Sequence, residues 1–447
     1  MFLIFKNKIA TSIIFIIISN LIFNYNFLIN LNYLETDFSL LVSKWFLGQY
    51  LFSYDVEFVK RGIISSIFFY LDINITYENI YIFCLIVFNA LLLSLIFFIL
   101  RINSRNIVQK LFLILLLSPF FVVSISNDIG RYDQLLYLIL TLIILFIVNN
   151  KINIYIISIL SSLGIFIHEI FFFIGFPLIF LFLLDKNKKD RNFKNILFFV
   201  IINLFSYLII FLFGESTWEN ANLVYDKAQK IDETSFNTVL YFVTDIYQSN
   251  ATYVKKTFIN NINNFNFFFL ITYTFLNYLI IYNLFRNYLL INKDIMSLIK
   301  YIFLFFLIFI FYYSFLNKYH DLFLLKFHNS PKKISLIILI IVYFLIIKYI
   351  GWKTIYKKII NSIDFCIFLS PLIIYLTFLL GSDYARYTSL ILINLLLISI
   401  YFFQKFNLKK LNLLYLRVFL IFNFFVFVFY YLHIEKFERN ALFLKFF

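Results

Sequence analysis

Apolar runs long enough to cross a bilayer recur along almost the whole chain, and no other property restricts its folding so sharply. A spanning helix needs ~20 apolar residues. In lipid, every backbone polar group must be satisfied internally, so each run must be helical. On that criterion about thirteen candidate spans can be read, roughly 9–29, 79–100, 111–126, 134–148, 152–167, 170–184, 196–213, 264–285, 299–316, 334–350, 362–380, 387–403 and 412–432. Hydrophobic residues make up 63% of the chain, beyond what a soluble core can use. The expectation is an all-α polytopic membrane protein, one transmembrane domain over 1–447. With only 8 Gly and 4 Pro, its spans should be regular helices with few breaks. That weakens a transporter reading, because transporters often interrupt helices at their sites. The wealth of Asn and Lys fits an AT-rich coding sequence, which would make many of them compositional noise.

Thiol and metal chemistry find little footing. Cys84 and Cys366 lie in or beside predicted spans with no CxxC pair, and the four histidines form no HExxH. No metal ligand set is assigned. Lys6 and Lys8 followed by an apolar run resemble a signal peptide, but no A-x-A-like cleavage site follows, so an uncleaved first helix is expected. The net charge of +15 would suggest nucleic acid only if the bases clustered on a soluble face. They sit in short loops instead, which excludes that partner and points to anionic lipid headgroups and positive-inside topology.

A cytoplasmic N-terminus puts the basic loops 101–110, 149–151, 185–195, 286–300, 348–361 and 404–411 inside. The outer face then receives 30–78, 127–133, 168–169, 214–263, 317–333, 381–386 and the tail from 433. Only Asp185, Asp190, Asp294 and Asp364 fall inside or near it; every other acid lies outside. Loop 317–333 breaks the charge rule, with Lys318, Lys326, Lys332 and Lys333 beside His320 and His328. Either the topology shifts by one span there, or Lys326 and His328 belong to an anion site for lipid phosphate or pyrophosphate.

Two outer loops are large. In 30–78, Phe38, Leu41, Val42, Trp45 and Phe46 share one helical face, which predicts an amphipathic surface helix over 37–48, ended by Gly48. Residues 62–71 are apolar but too short to span, so they are re-entrant or surface-lying. Loop 214–263 is the largest soluble piece, with room for two short helices. Asn74-Ile75-Thr76 and Asn250-Ala251-Thr252 match glycosylation sequons, as chance allows in an Asn-rich chain.

Five constellations could carry chemistry. Glu35-Thr36-Asp37 follows the first span directly. One carboxylate can take a proton from an attacking hydroxyl, while its neighbour tunes its pKa or helps hold a cation. The plainer reading is a helix N-cap. In Tyr54-Asp55-Val56-Glu57-Phe58-Val59-Lys60-Arg61-Gly62, Arg61 could hold a lipid phosphate or anchor at the interface. Two stretches give Asp-x-x-Arg-Tyr: Asp128 with Arg131, and Asp383 with Arg386. Each pair is an intrahelical salt bridge or presents its arginine to phosphate. His168-Glu169 sits inside a long hydrophobic stretch, at the outer turn of a helical hairpin, as a functional pair or a hydrogen-bonded structural histidine.

One span, then Glu35-x-Asp37, then Ser39-Leu40-Leu41-Val42-Ser43-Lys44-Trp45-Phe46-Leu47-Gly48-Gln49-Tyr50-Leu51-Phe52-Ser53-Tyr54-Asp55, resembles the start of GT-C membrane glycosyltransferases over about residues 9–62. The remainder matches only in being multispan. The resemblance implies sugar transfer from a polyprenyl-phosphate or polyprenyl-pyrophosphate donor to a glycan acceptor on the outer face. Size and aromatic content are also similar to bacterial O-antigen polymerases, which use the same kind of lipid-linked substrate. The implied roles are general base for Asp37 with Glu35 assisting, with or without a divalent cation. Arg61, Arg131 and Arg386 would face the departing phosphate. The implied location is the bacterial inner membrane, with lipid, donor and acceptor as partners. A transporter or flippase of lipid-linked saccharide is the alternative of another class.

Overall fold

The computed structural model describes residues 7–30, 38–42, 44–55, 57–118, 121–149, 153–186, 193–214, 217–231, 265–285, 289, 363–374, 384–406 and 417–423. Among them every regular element is helical, as expected of an all-α chain. In order these are α1 (Lys8–Phe23), α2 (Tyr25–Asn30), α3 (Lys44–Leu47), α4 (Ile63–Tyr70), α5 (Tyr77–Leu100), α6 (Arg105–Leu117), α7 (Val122–Asn127), α8 (Asp133–Val148), α9 (Ile154–Ile167), α10 (Phe171–Ile174), α11 (Phe176–Lys186), α12 (Phe193–Phe213) and α13 (Trp218–Gln229). Helices Phe265–Phe285, Ile363–Leu369 and Tyr384–Lys405 follow. Among the described residues, two helical stretches, Tyr77–Leu100 and Arg386–Lys405, are long and apolar enough to cross a membrane. Shorter apolar helices include Lys8–Phe23, Asp133–Val148, Ile154–Ile167 and Lys194–Ile210.

The chain forms two compact units, Met1–Phe285 with Ser370–Phe447, and Arg286–Leu369. In the second, helix Ile363–Leu369 buries Ile363, Phe365, Ile367 and Phe368. In the first, α5 packs on α8, α9 on α8 and α12, α1 on α6, and helix Phe265–Phe285 on helix Tyr384–Lys405. The start signals are local. Asn7 and Asn153 accept backbone N–H groups at the heads of α1 and α9. Thr76 does so at α5, with Glu78 in the first turn. Thr76 of the first sequon is therefore a helix cap. Both faces of α5 are apolar: Ile80, Cys84, Phe88, Leu91 and Leu95 are buried, and Ile82, Ile86, Leu93 and Phe97 are exposed.

Polar contacts define the two ends of the first unit. Lys8 Nζ donates to the Ile102 carbonyl (2.7 Å), Gln404 Nε2 to the Phe98 carbonyl (2.7 Å), and Lys405 pairs with Asp185 (2.7 Å). These join the start of α1 to the far ends of α5, α11 and helix Tyr384–Lys405. At the opposite end, Lys60 N donates to the Gly214 carbonyl after α12 (2.8 Å), and Arg386 meets Asp133 at the head of α8.

Three expectations need correction. The surface helix over 37–48 is not one helix. Phe38–Leu40 and Gly48–Tyr50 are 3-10 turns and α3 is a single turn between them. Leu41, Val42, Phe46, Leu47 and Tyr50 are buried, so the segment packs inward. The span read at 111–126 is split: α6 stops at Leu117 and α7 starts at Val122, with Pro119, which has no N–H to donate, between them. The span at 170–184 begins with one short turn, α10, which Gly175 separates from α11. Regular helices with few breaks therefore do not describe this chain.

The last break has a steric cause. A Cβ at Gly164 would lie 2.7 Å from the Phe171 ring, and one at Gly175 2.6 Å from it. The ring fills a slot that only two glycines leave open, and it holds α10 folded back on α9. Gly164→Ala should cost about 1–3 kcal/mol through overpacking, read as a lower thermal midpoint in detergent. Adding Phe171→Leu should recover part of the loss. An unchanged midpoint in Gly164→Ala would show that the slot is not a constraint.

Candidate functional site

Loops that are distant in sequence meet at the Lys60 end of the first unit. The turn before α8 is tight: Gly130 has φ of +106°, a conformation L residues rarely adopt. Its position would place a Cβ 3.1 Å from Val42 Cγ1 and 3.2 Å from Phe46 Cβ. A glycine here thus lets the 41–46 segment lie directly on the 127–132 turn. Tyr132 Oη (3.0 Å) and Ser65 Oγ (2.8 Å) both donate to the Gln49 carbonyl, fixing the first loop against the turn and α4. Arg131 pairs with Asp128 at 3.2 Å, and its guanidinium lies 4.9 Å from the centre of the Phe46 ring.

Two further arginines are paired here, Arg61 buried and Arg386 partly exposed. Arg61 Nε donates to Glu169 Oε2 (3.0 Å), and its terminal nitrogen pairs with Oε1. This is a fork on a carboxylate, the strong form of such pairs. Arg61 has φ of +65°, a strained value for a residue with a Cβ. Arg386 grips Asp133 in the same way, Nε to Oδ2 at 2.8 Å and the terminal nitrogen to Oδ1 at 2.5 Å. His168 caps the end of α9 and is buried. Its Nδ1 accepts the Ile170 N–H at 3.2 Å, and Glu169 Oε2 also lies 3.2 Å from Nδ1. A nitrogen that accepts a backbone N–H carries no proton, so His168 is neutral and Arg61 is the true partner of Glu169. Burial, reinforced by Arg61, pushes the His168 pKa down to about 4. Burial is the largest effect on Glu169 and opposes its charge, yet Arg61 and His168 together outweigh it and hold the carboxyl well below the usual range. His168 feels both Arg386 and Asp133 electrostatically, so the two forks share one neighbourhood.

A cavity of about 20 Å³ lies between these groups, lined among others by Ser124, Asp128, Arg131, Asp133, Gln134 and Arg386. It has room for about one water. Gln134 is buried and its Oε1 has no hydrogen-bond partner. A second clasp ties the first loop to α13. Glu57 accepts from Thr217 N (2.9 Å), Thr217 Oγ1 (3.0 Å) and Asn220 Nδ2 (2.7 Å), and Lys227 lies 3.9 Å from Asp55.

Of the residues singled out in the sequence, Asp128, Arg131 and Arg386 line the cavity, while Arg61, His168 and Glu169 form the adjoining cluster. Glu35, Asp37, Lys326, His328 and Asp383 lie outside the described residues. Arg386 was read as pairing within its own turn or facing a phosphate; among the described residues it pairs with Asp133. Asp133 and Glu57 were not singled out as site residues. A legible signal for Asp133 existed, since an acid at the head of an apolar helix demands a partner. Among the described residues no group of three or more His, Cys, Asp or Glu could hold a metal. No protein-family model, curated protein or solved structure matches the chain.

Removing one member of a buried pair strands the other, at about 3–5 kcal/mol. Arg386→Met and Asp133→Leu should each destabilise by that order in detergent unfolding, and the double variant by less than their sum. Strict additivity would mean the fork is not a unit. His168 yields a pH signature. Its folded pKa is depressed from 6.5 to about 4, so its stability contribution is full above about 6.5 and is lost as pH falls toward 4. His168→Gln should flatten the fall in thermal midpoint across that window; an identical pH profile would contradict the assignment.

Proposed function

We propose that this chain is a GT-C-like membrane glycosyltransferase. It moves a sugar or oligosaccharide from a polyprenyl-(pyro)phosphate donor to a glycan acceptor on the outer face of the bacterial inner membrane. About thirteen spans carry it, with the N-terminus cytoplasmic. The membrane part of this reading is supported by helices that are apolar on their exposed sides as well as their buried ones. Ile9, Ile13, Ile17 and Leu21 recur on α1, and Ile201, Leu204, Phe205 and Leu208 on α12, at helical spacing and open to the surroundings. Lipid is the solvent that such stripes suit.

The observation that carries the catalytic part is the gathering of Arg61, Arg131 and Arg386 at one end of the bundle. Phe38, the residue after the Glu35-Thr36-Asp37 triplet, packs on Tyr81 in the first turns of α5 with ring centroids 5.7 Å apart. Three guanidiniums suit the charge that grows on a departing lipid phosphate. Asp37 takes the proton of the acceptor hydroxyl as it attacks, Glu35 assists, and Lys326 and His328 add positive charge from their loop. The cavity holds only about one water, so the donor phosphate takes the place of the carboxylates on Arg131 and Arg386 rather than entering beside them.

A second reading has an observation in its favour. The breaks between α6 and α7, and between α9 and α11, are of the kind transporters use, so a flippase of lipid-linked saccharide stands as the rival. An O-antigen or capsule repeat polymerase would share the donor and differ in acceptor. The lipid-linked glycan profile of a deletion strain separates the three. Truncated chains mean a transferase, single unpolymerised repeats a polymerase, and donor stranded on the cytoplasmic leaflet a flippase. Asp37→Asn should reproduce the deletion profile at normal expression and membrane insertion. Wild-type glycan in that variant would remove Asp37 from the chemistry.

A further inference from the structure

Helix α4 has two unlike sides. Ile64, Ser65, Ser66 and Phe68 are buried. The serine hydroxyls are used inward: Ser65 donates to the Gln49 carbonyl (2.8 Å), while Ser66 donates to the Gly62 carbonyl (2.8 Å) and accepts Tyr54 N (2.7 Å). The Phe68 ring stacks on Tyr50, centroids 5.8 Å apart. On the other side, Ile67, Phe69, Tyr70 and Leu71 are 44%, 51%, 71% and 63% exposed. Ile73 follows, also exposed. No charged side chain interrupts 62–71.

This tip is held in place. Leu71 N donates to the Ile67 carbonyl (3.0 Å), Asp72 N to Phe69 (3.1 Å) and Ile73 N to Phe68 (2.9 Å). Asp72 takes φ of +53° to close the turn. Three residues after Ile73, Thr76 caps α5, which is long and apolar enough to cross a membrane. The exposed tip is thus continuous in the chain with the exposed stripe of α5 that starts at Ile82 and Ile86. Charges bracket the tip: Lys60 and Arg61 precede it, and Asp72 and Glu78 follow. An apolar stretch with aromatic residues, edged by charges and joined to a spanning helix, fits the boundary between headgroups and acyl chains.

We propose that the side chains of Ile67, Phe69, Tyr70 and Leu71 are embedded in the lipid leaflet at the Arg61 end of the bundle, with Asp72 at its surface, and that α4 thereby sets the depth of the arginine cluster. The helix begins at the residue after Gly62, beside Arg61, and runs eight residues to Tyr70, about 12 Å at 1.5 Å per residue. Anchoring one end in acyl chains holds Arg61 at the level of lipid phosphates. The inference does not rest on the transferase reading, since a flippase would need the same depth control.

The test places a nitroxide at Tyr70→Cys in the full-length chain with Cys366→Ser. Cys84 is buried and stays. The protein is reconstituted in phosphatidylcholine–phosphatidylglycerol vesicles. Collision with oxygen, which partitions into lipid, is compared with collision with a water-soluble nickel chelate. Asp226→Cys on the polar helix α13, exposed in the structure, is the aqueous reference, and Leu71→Cys is a second probe should Tyr70→Cys fail to fold. The expected result is an oxygen-to-nickel ratio several-fold higher at 70 or 71 than at 226. A ratio equal to the reference would place the tip in water and overturn the proposal. Protection from both reagents would mean that a second copy or another protein covers the tip, and would overturn it as well.

Discussion

A charge that leaves water must take its counter-charge along, and this rule organises one end of the bundle. Arg61 and Glu169 are 108 residues apart, and Arg386 and Asp133 are 253 apart. Each pair is a fork on a carboxylate. A lone buried guanidinium would cost several kcal/mol, so neither arginine can occupy its place unless the other chain segment is already there. The first loop, the α9–α10 turn, the head of α8 and the head of helix Tyr384–Lys405 are therefore fixed together. Arg61 even tolerates a left-handed backbone to make its fork, which gives a measure of how strongly the pairing is favoured over local comfort.

What could be read from sequence was the set of charges and not their partners. Arg61, Arg131, Arg386 and His168-Glu169 stand out because an ion beside an apolar run is costly wherever the chain places it. Spacing offers Arg386 an acid one helical turn away, in the way Arg131 meets Asp128 at 3.2 Å. Among the described residues it pairs with Asp133, the carboxylate that tertiary packing brings into the plane of its fork. Local spacing contains no information on that choice. The predicted surface helix over 37–48 failed for a similar reason. Its apolar periodicity was real, but the same residues fill a gap opened by Gly130, and packing into that gap requires turns.

Helix type was legible; helix continuity was not. Few glycines and prolines suggested few breaks, yet two glycines suffice when both face one ring, as Gly164 and Gly175 do around Phe171. Asparagine was undervalued in the same way. Asn7 and Asn153 cap helices. Asn20 Nδ2 donates to Asn89 Oδ1 at 2.9 Å across α1 and α5, and Ser161 Oγ donates to Asn203 Oδ1 at 2.6 Å across α9 and α12. In a bundle surrounded by lipid, as under the proposed reading, there is no hydrophobic drive between helices and such amide and hydroxyl contacts help choose neighbours. A composition bias can supply the residue, and packing then uses it.

The balance of charge bears on how the site would work under the proposed reading. Three arginines face three carboxylates, with His168 neutral, so the cluster has no net charge to draw a stray anion from solution. Small free anions would have to break a fork and would gain little in return. A lipid-linked phosphate differs in two respects. Its polyprenyl anchor delivers it at a fixed depth, which removes much of the cost of association, and its several oxygens can satisfy a guanidinium in the same bidentate geometry as the carboxylate it displaces. Exchange of one fork for another keeps the guanidinium paired throughout. The displaced carboxylate, buried and beside a second negative charge, would then favour its protonated form. An ion-paired resting state of this kind favours ligands that arrive along the membrane over those that arrive through water.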